Sequence, residues 1–233
     1  RNKNDIFFFD EKIISHDHKG TIFVYSIDEN KKVFEYNFYK KAFKNSRKNI
    51  SLAVDNNIIF ASDNFGYLYA LDIKNQKIKW AKNFGIPFRS NLKVKNDILF
   101  LANQENVLYA IDINNGDKLW ELSTNFKLLK SKFKNNIATS ETNVIFLNTS
   151  GELYSINIIS NKIEWVQNFS NSTSGGSNLF LSSPVIISNK NIIITTNDQL
   201  YQLDINTGNI ILKLNIILDT KPLITNNNII VLT

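Results

Sequence analysis

The side chains that could do chemistry are few and widely spaced. His16 and His18 flank Asp17 and lie two residues apart, so a strand would turn both imidazoles to one side, where they could offer a pair of nitrogens to a metal ion. A closed zinc site takes four ligands, and the chain holds no further histidine and no cysteine. The segment therefore reads as a solvated loop, and no metal site is expected. Without cysteine there is no thiolate nucleophile and no disulfide framework either. Gly175-Gly176 lacks the preceding strand and following helix that a phosphate-cradling loop needs. No Ser-His-Asp set or paired-carboxylate motif emerges, so neither catalytic nor cofactor-binding residues are expected, and the chain reads as a non-enzyme.

What remains is recognition. In Phe84-Gly-Ile-Pro-Phe-Arg-Ser90, Ile86 and Phe88 stand one residue apart on a proline-stiffened segment, followed by Arg89, one of only three arginines. Exposed, they would form a small preorganised apolar patch with a guanidinium at its edge, the composition of an interface hot spot. The alternative is that Phe88 packs beneath the segment as the chain enters the next strand. The formal charge of +6 and pI near 9.3 are carried mostly by scattered lysine, and base readout favours arginine forks, so no nucleic-acid partner is expected. Two further connectors are basic with interleaved apolar residues (Tyr39–Lys48 and Asn125–Asn136), and Ser170–Ser183 is polar and glycine-rich up to Leu179.

These segments are positioned by a repeat. Gly66–Trp80 reads GYLYALDIKNQKIKW, and the pattern returns at Asn106–Trp120, Gly151–Trp165, more weakly at Asp198–Leu212, and worn at Thr21–Tyr36. Taking Asp28, Asp72, Asp112, Asn157 and Asp204 as equivalent gives separations of 44, 40, 45 and 47 residues. A period in the forties with four short alternating strands per unit specifies propeller blades. In the second unit the strands are predicted at 50–54, 57–61, 67–73 and 77–82. The Asp or Asn accepts from backbone N–H groups two residues on, and Gly116 and Gly208 supply positive φ, with Asn75 or Asn161 where glycine is lost. Trp80, Trp120 and Trp165, with Tyr36 and Leu212 in the same slot, are read as wedges between blades, each burying about 150–250 Å². Residues 222–225 and 228–232 begin a sixth unit. The expected architecture is all-β: one propeller domain over 1–233 with about five and a half four-stranded blades, part of a larger ring of seven or eight. Connectors join the last strand of one blade to the first of the next, so all should line one face, the expected partner surface. Arg1 is not a native start, so a signal peptide or lipid-anchor cysteine is expected to lie outside this chain.

The repeated Gly/Asn-x-Leu-Tyr-Ala-Leu/Ile-Asp, Asn-Gly turn and Lys-x-x-Trp resemble the PQQ-type propeller repeat, found in quinoprotein alcohol dehydrogenases and in the BamB family, the propeller lipoproteins of the outer-membrane β-barrel assembly machine. The resemblance covers nearly the whole chain. Likeness to the dehydrogenases would imply a vicinal cysteine disulfide, calcium ligands and an Asp base, and this chain has no cysteine. Likeness to BamB implies a scaffold at the periplasmic side of the outer membrane of a Gram-negative-type cell, binding BamA, with no cofactor and with membrane contact only through an anchor outside this chain. In that family two apolar residues one apart followed by Arg dock onto BamA. Ile86, Phe88 and Arg89 match them, whereas the family's Gly and downstream Ala-Pro give way to Ser90, Asn91 and Leu92. A fragment of a PQQ-dependent dehydrogenase, or a generic ligand- or peptide-binding propeller, is the alternative.

Overall fold

The computed structural model describes residues 6–39, 43, 46–125, 134–169, 184–196, 198–216, 222–225 and 228–231. Every regular element among them is a strand. The first blade comprises β1 (Phe7–Phe9), β2 (Lys12–His16), β3 (Thr21–Ser26) and β4 (Lys31–Asn37). The second comprises β5 (Ile50–Asp55), β6 (Ile58–Asp63), β7 (Tyr67–Asp72) and β8 (Lys77–Asn83), and the third β9 (Lys93–Lys95), β10 (Ile98–Ala102), β11 (Val107–Asp112) and β12 (Lys118–Ser123). The fourth holds β13 (Asn136–Thr139), β14 (Asn143–Leu147), β15 (Glu152–Asn157) and β16 (Ile163–Asn168). The fifth holds β17 (Ile186–Ser188), β18 (Asn191–Thr195), β19 (Gln199–Asp204) and β20 (Ile210–Asn215), and a two-stranded sheet of β21 (Leu223–Ile224) and β22 (Ile229–Ile230) follows. Each blade is an antiparallel meander in chain order. Its first and third turns therefore lie at one end of the strands, and its middle turn and the connector to the next blade at the other.

The burial of each strand follows from its place in the blade. The third strand is covered on both faces by neighbouring blades, so Leu68, Tyr69, Ala70 and Leu71 of β7 are all buried, as are Leu108 to Ile111 of β11. A strand covered on both sides needs a continuous apolar run, and the Leu-Tyr-Ala-Leu/Ile core of the repeat supplies one. The outer strands alternate instead, with lysines facing water beside the slot of Trp80 in β8. Apolar clusters form at the seams: Ile14, Val24 and Phe34 meet Ile59 and Leu71 between blades 1 and 2. Phe60 and Trp80 meet Leu99 and Ile111 between blades 2 and 3. β20 is exposed along its whole length.

Every blade carries a β-bulge in its last hairpin, where the register slips by one residue, as between Ala70/Leu71 and Ala110/Ile111. This shared bulge corrects the alignment of the first blade. Val24 pairs with Phe34 as Ala70 pairs with Trp80, so the turn residue is Ser26 and the aromatic slot is Phe34, not Asp28 and Tyr36. Ser26 Oγ accepts from the Glu29 amide at 3.2 Å, a weaker form of the turn bond that Asp72 makes to the Asn75 amide at 2.9 Å. A second correction concerns the left-handed turn position, which in blade 2 is Gln76 (φ 53°) and not Asn75. Four residues after the turn residue the backbone is left-handed in every blade, at Asn30, Gln76, Gly116, Asn161 and Gly208.

Candidate interaction face

The connectors and the middle turns share one face, and the residues that organise it are the middle turns. Asp17, Asp63, Asn103 and Asn148 each direct Oδ1 at the backbone amides two and four residues on, at 2.8–3.0 Å. This second Asx repeat escaped the sequence reading, although its separations of 46, 40 and 45 residues match the blade period. Each turn fixes the backbone onto which the connector settles.

The segment from Phe84 to Leu92 is sewn down through its backbone. The Phe84 amide donates to Gly66 O (2.8 Å) and the Phe88 amide to Asp63 O (3.1 Å), both in the middle turn of blade 2. The Arg89 amide donates to Ala102 O at 2.9 Å in blade 3, and Arg89 O accepts from the Asn135 amide at 2.8 Å ahead of blade 4. Three blades thus anchor one connector. Gly66 (φ 87°) makes this possible, because a Cβ there would stand 2.8 Å from the Ile86 nitrogen.

The expected exposed pair is corrected in one half. Phe88 is 6% exposed and faces inward, edge-on to Phe84 (centroids 5.3 Å) and to Tyr109 (6.2 Å), within the cluster between blades 2 and 3. The connector must cap the open end of that cluster, and the Phe88 ring turns in to do so, with Phe84 packed beside it. Ile86, Pro87 and Arg89 are half-buried, leaving part of each side chain at the surface.

Electrostatics on this face concentrate at Asp63, which is 1% exposed. Burial pushes its carboxyl up from the ordinary carboxylate range, against the opposing pull of the Tyr39 hydroxyl that donates to it and of the turn amides. The Tyr39 phenol is raised in turn, by burial first and then by the Asp63 charge. Lys48, also buried, stands 5.1 Å from the Tyr39 ring centroid and donates from Nζ to Phe43 O. Blade 4 meets the same turn with neutral and acidic partners: Asn148 Nδ2 donates to Glu152 at 2.8 Å and to Thr124 Oγ1 at 3.0 Å. His16 is buried with Nδ1 3.3 Å from Asp17 O, whereas His18 is exposed. Among the described residues, no group of three or more His, Cys, Asp or Glu is placed to hold a metal. Half of the basic stretch 39–48, most of 125–136 and all of 170–183 lie outside the described residues.

On the opposite face the seams are latched by tryptophan. The Trp80 indole of blade 2 lies over Gly116 of blade 3 and donates from Nε1 to Ile113 O at 2.8 Å; a Cβ on Gly116 would meet the ring at 2.7 Å. Trp165 repeats this on Gly208, donating to Ile205 O at 3.0 Å. Trp120 holds the same slot in blade 3, the equivalent turn of blade 4 carries Asn161 in place of glycine, and the buried Trp120 Nε1 has no hydrogen-bond partner among the described residues. Asp72 and Asp204 anchor the turns on this face, and turn amides hold both carboxyls below the ordinary range. Asp112 and Asn157 accept from the Asn114 (2.7 Å) and Ile159 (3.1 Å) amides in the same way.

Five four-stranded meanders, packed face to face through a recurrent Trp-on-turn contact, define a β-propeller of PQQ-type repeats. The chain belongs to the family described as outer membrane protein assembly factor BamB, whose model matches residues 12–233. It resembles BamB from Moraxella catarrhalis at 14% identity, with a TM-score of 0.74, covering 94% of this chain and 66% of that one. It resembles the computationally designed Ika8 protein at 13% identity and a TM-score of 0.76, covering 97% of this chain and 66% of that one. The chain thus spans a little under two thirds of the length of either structure. No match is found among curated proteins.

Proposed function

We propose that this propeller is a non-enzymatic scaffold that binds BamA and assists the assembly of outer-membrane β-barrel proteins from the periplasmic side of the outer membrane. The observation that carries this reading is the connector of residues 84–92, held by backbone bonds to three blades while Ile86 and Arg89 remain partly at the surface. A segment already fixed in its bound shape loses little conformational entropy on docking, and an apolar side chain beside arginine suits a protein partner. Family membership supports the same assignment. Phe88 enters it as the residue that seats the segment, with Ile86 and Arg89 making the contact.

The test is capture of purified BamA by the wild-type chain and by an Ile86→Glu, Arg89→Ala variant, with thermal melting of both. Capture by the wild type, lost in a variant that melts within a few degrees of it, is the expected result. Undiminished capture by the folded variant refutes the site. A saturable quinone spectrum on titration with PQQ and calcium would replace the scaffold reading with the dehydrogenase one.

A further inference from the structure

The turn that receives the Trp80 indole also holds the one Asn-Gly step in the chain, Asn115-Gly116. Four ties from blade 2 converge on it. Trp80 lies over Gly116 and donates to Ile113 O, Lys79 reaches Asn114 Oδ1 at 3.4 Å, and Lys82 pairs with Asp117 at 2.7 Å. Asn115 itself is exposed, and its Oδ1 accepts from the Asp117 amide at 2.9 Å. A donor on that oxygen draws electrons from Cγ and is in place to stabilise negative charge developing on the oxygen. Glycine after asparagine leaves the next amide nitrogen unscreened by any side chain. The equivalent turns lack this combination. Thr207 precedes Gly208, Ser160 precedes Asn161, and Asn75 precedes Gln76 with its own side chain turned back to Asp72 at 2.7 Å.

We propose that Asn115 is a site of spontaneous deamidation to isoaspartate, and that this modification loosens the seam between blades 2 and 3. The Gly116 nitrogen attacks Asn115 Cγ. The new C–N bond replaces the bond to Nδ2, which leaves as ammonia with the proton of the Gly116 amide. Water then opens the five-membered imide. Attack at Cγ gives aspartate, and attack at the Asn115 carbonyl carbon gives isoaspartate, whose backbone runs through Cγ and is longer by one methylene. That insertion moves Gly116 from its seat beneath the Trp80 ring, where even an added Cβ would meet the ring at 2.7 Å. In the intact turn the Gly116 amide donates to Asp112 O at 2.9 Å, so this bond has to open before the attack. The fold therefore slows the reaction by the worth of one neutral hydrogen bond, about fivefold.

The test is to age the purified chain at mildly alkaline pH, folded and unfolded in guanidinium, reading isoaspartate by L-isoaspartyl methyltransferase labelling and locating it by peptide mapping. Expected is isoaspartate at 115 in the folded chain, formed about fivefold more slowly than in the unfolded chain and faster as pH rises. Asn115→Thr, which copies the Thr207-Gly208 turn, should lose that label and keep its melting temperature. In the converted protein the Trp80 indole N–H should lose its protection from hydrogen exchange, while the Trp165 indole keeps its own. Peptide mapping of the wild type places the modification whether or not the variant folds. No isoaspartate at 115 in the folded chain, or undiminished labelling of a folded Asn115→Thr, would overturn the site. Retained protection of the Trp80 indole in the converted chain would overturn the loosening of the seam.

Discussion

Asn161→Gly should stabilise the protein, against the usual direction of single substitutions. At seams 2–3 and 4–5 the tryptophan ring rests on glycine, with φ of 76° at Gly116 and 72° at Gly208, and a Cβ there would lie within 2.5–2.8 Å of the ring. Asn161 adopts the same left-handed conformation at φ 60° but carries a Cβ, and Trp120, the tryptophan in the corresponding slot, has a buried Nε1 with no partner among the described residues. Removing the Cβ lets the indole settle and reach the Ile158 carbonyl, the counterpart of Ile113. A neutral hydrogen bond is worth about 0.5–1.5 kcal/mol, and satisfying a buried donor relieves about 1–3 kcal/mol, two views of one gain. Glycine costs about 0.4–1 kcal/mol through the greater freedom of the unfolded chain. The net is about 1 kcal/mol of stabilisation, or roughly 2–4 °C in Tm for a chain of this size. Calorimetry of the wild type, Asn161→Gly, Trp120→Phe and the double variant closes the cycle. Expected is a raised Tm in Asn161→Gly and a coupling of about 1 kcal/mol with Trp120. A lowered Tm, or a coupling near zero, would refute the claim that the turn side chain holds the indole off its carbonyl.

Three further outcomes follow from the same contacts. Gly116→Ala should destabilise by about 2–4 kcal/mol in denaturant melts, because the added Cβ meets the Trp80 ring at 2.7 Å in a residue already at positive φ. Phe88→Ala should cost about 3–5 kcal/mol, as for other large buried side chains, and should therefore be avoided as a probe of partner binding. Asp63→Asn keeps the acceptor for the Phe65 and Tyr67 amides, as Asn103 does in blade 3, and removes a carboxylate whose burial raises its pKa. A folded pKa above the unfolded value means that the native state takes up its proton first. Acidification through the folded pKa therefore favours the wild-type native state, a gain complete below the unfolded pKa near 3.8. The variant should be at least as stable at pH 7, and its advantage should shrink as pH falls through that window. A growing advantage on acidification would show that the Tyr39 bond outweighs burial.

The strands were readable because each blade spells the same alternation and closes on an Asp or Asn. In the first blade that rule misled: Asp28 offers better turn chemistry than Ser26, and only the bulge register shows which residue closes the hairpin. The middle turns were hidden in a chain rich in asparagine, where Asp17, Asp63, Asn103 and Asn148 do not stand out until their shared bonds to the following amides are seen. For the connector, residue type identified Ile86, Phe88 and Arg89 as unusual, yet spacing by two cannot say which side of an isolated segment faces water. The cluster beneath it decided, and it took the aromatic ring.

The seam between blades 3 and 4 is asymmetric in a way that bears on how the molecule breathes. At its connector end, Asn91 exchanges two bonds with Ile137 (2.7 and 2.9 Å), Thr149 Oγ1 donates to Asn106 at 2.8 Å, and Asn135 Nδ2 donates to Asn103 O at 2.8 Å. At the other end the Trp120 Nε1 has no hydrogen-bond partner among the described residues, and an exposed ion pair from Lys95 to Glu141 (2.8 Å), a weak tie in water, crosses the seam. A joint riveted along one edge and loose along the other opens like a book, about the riveted edge. Its fluctuations would pry apart residues 157–161 and leave the connector face still, keeping one surface of the propeller rigid while its reverse side flexes.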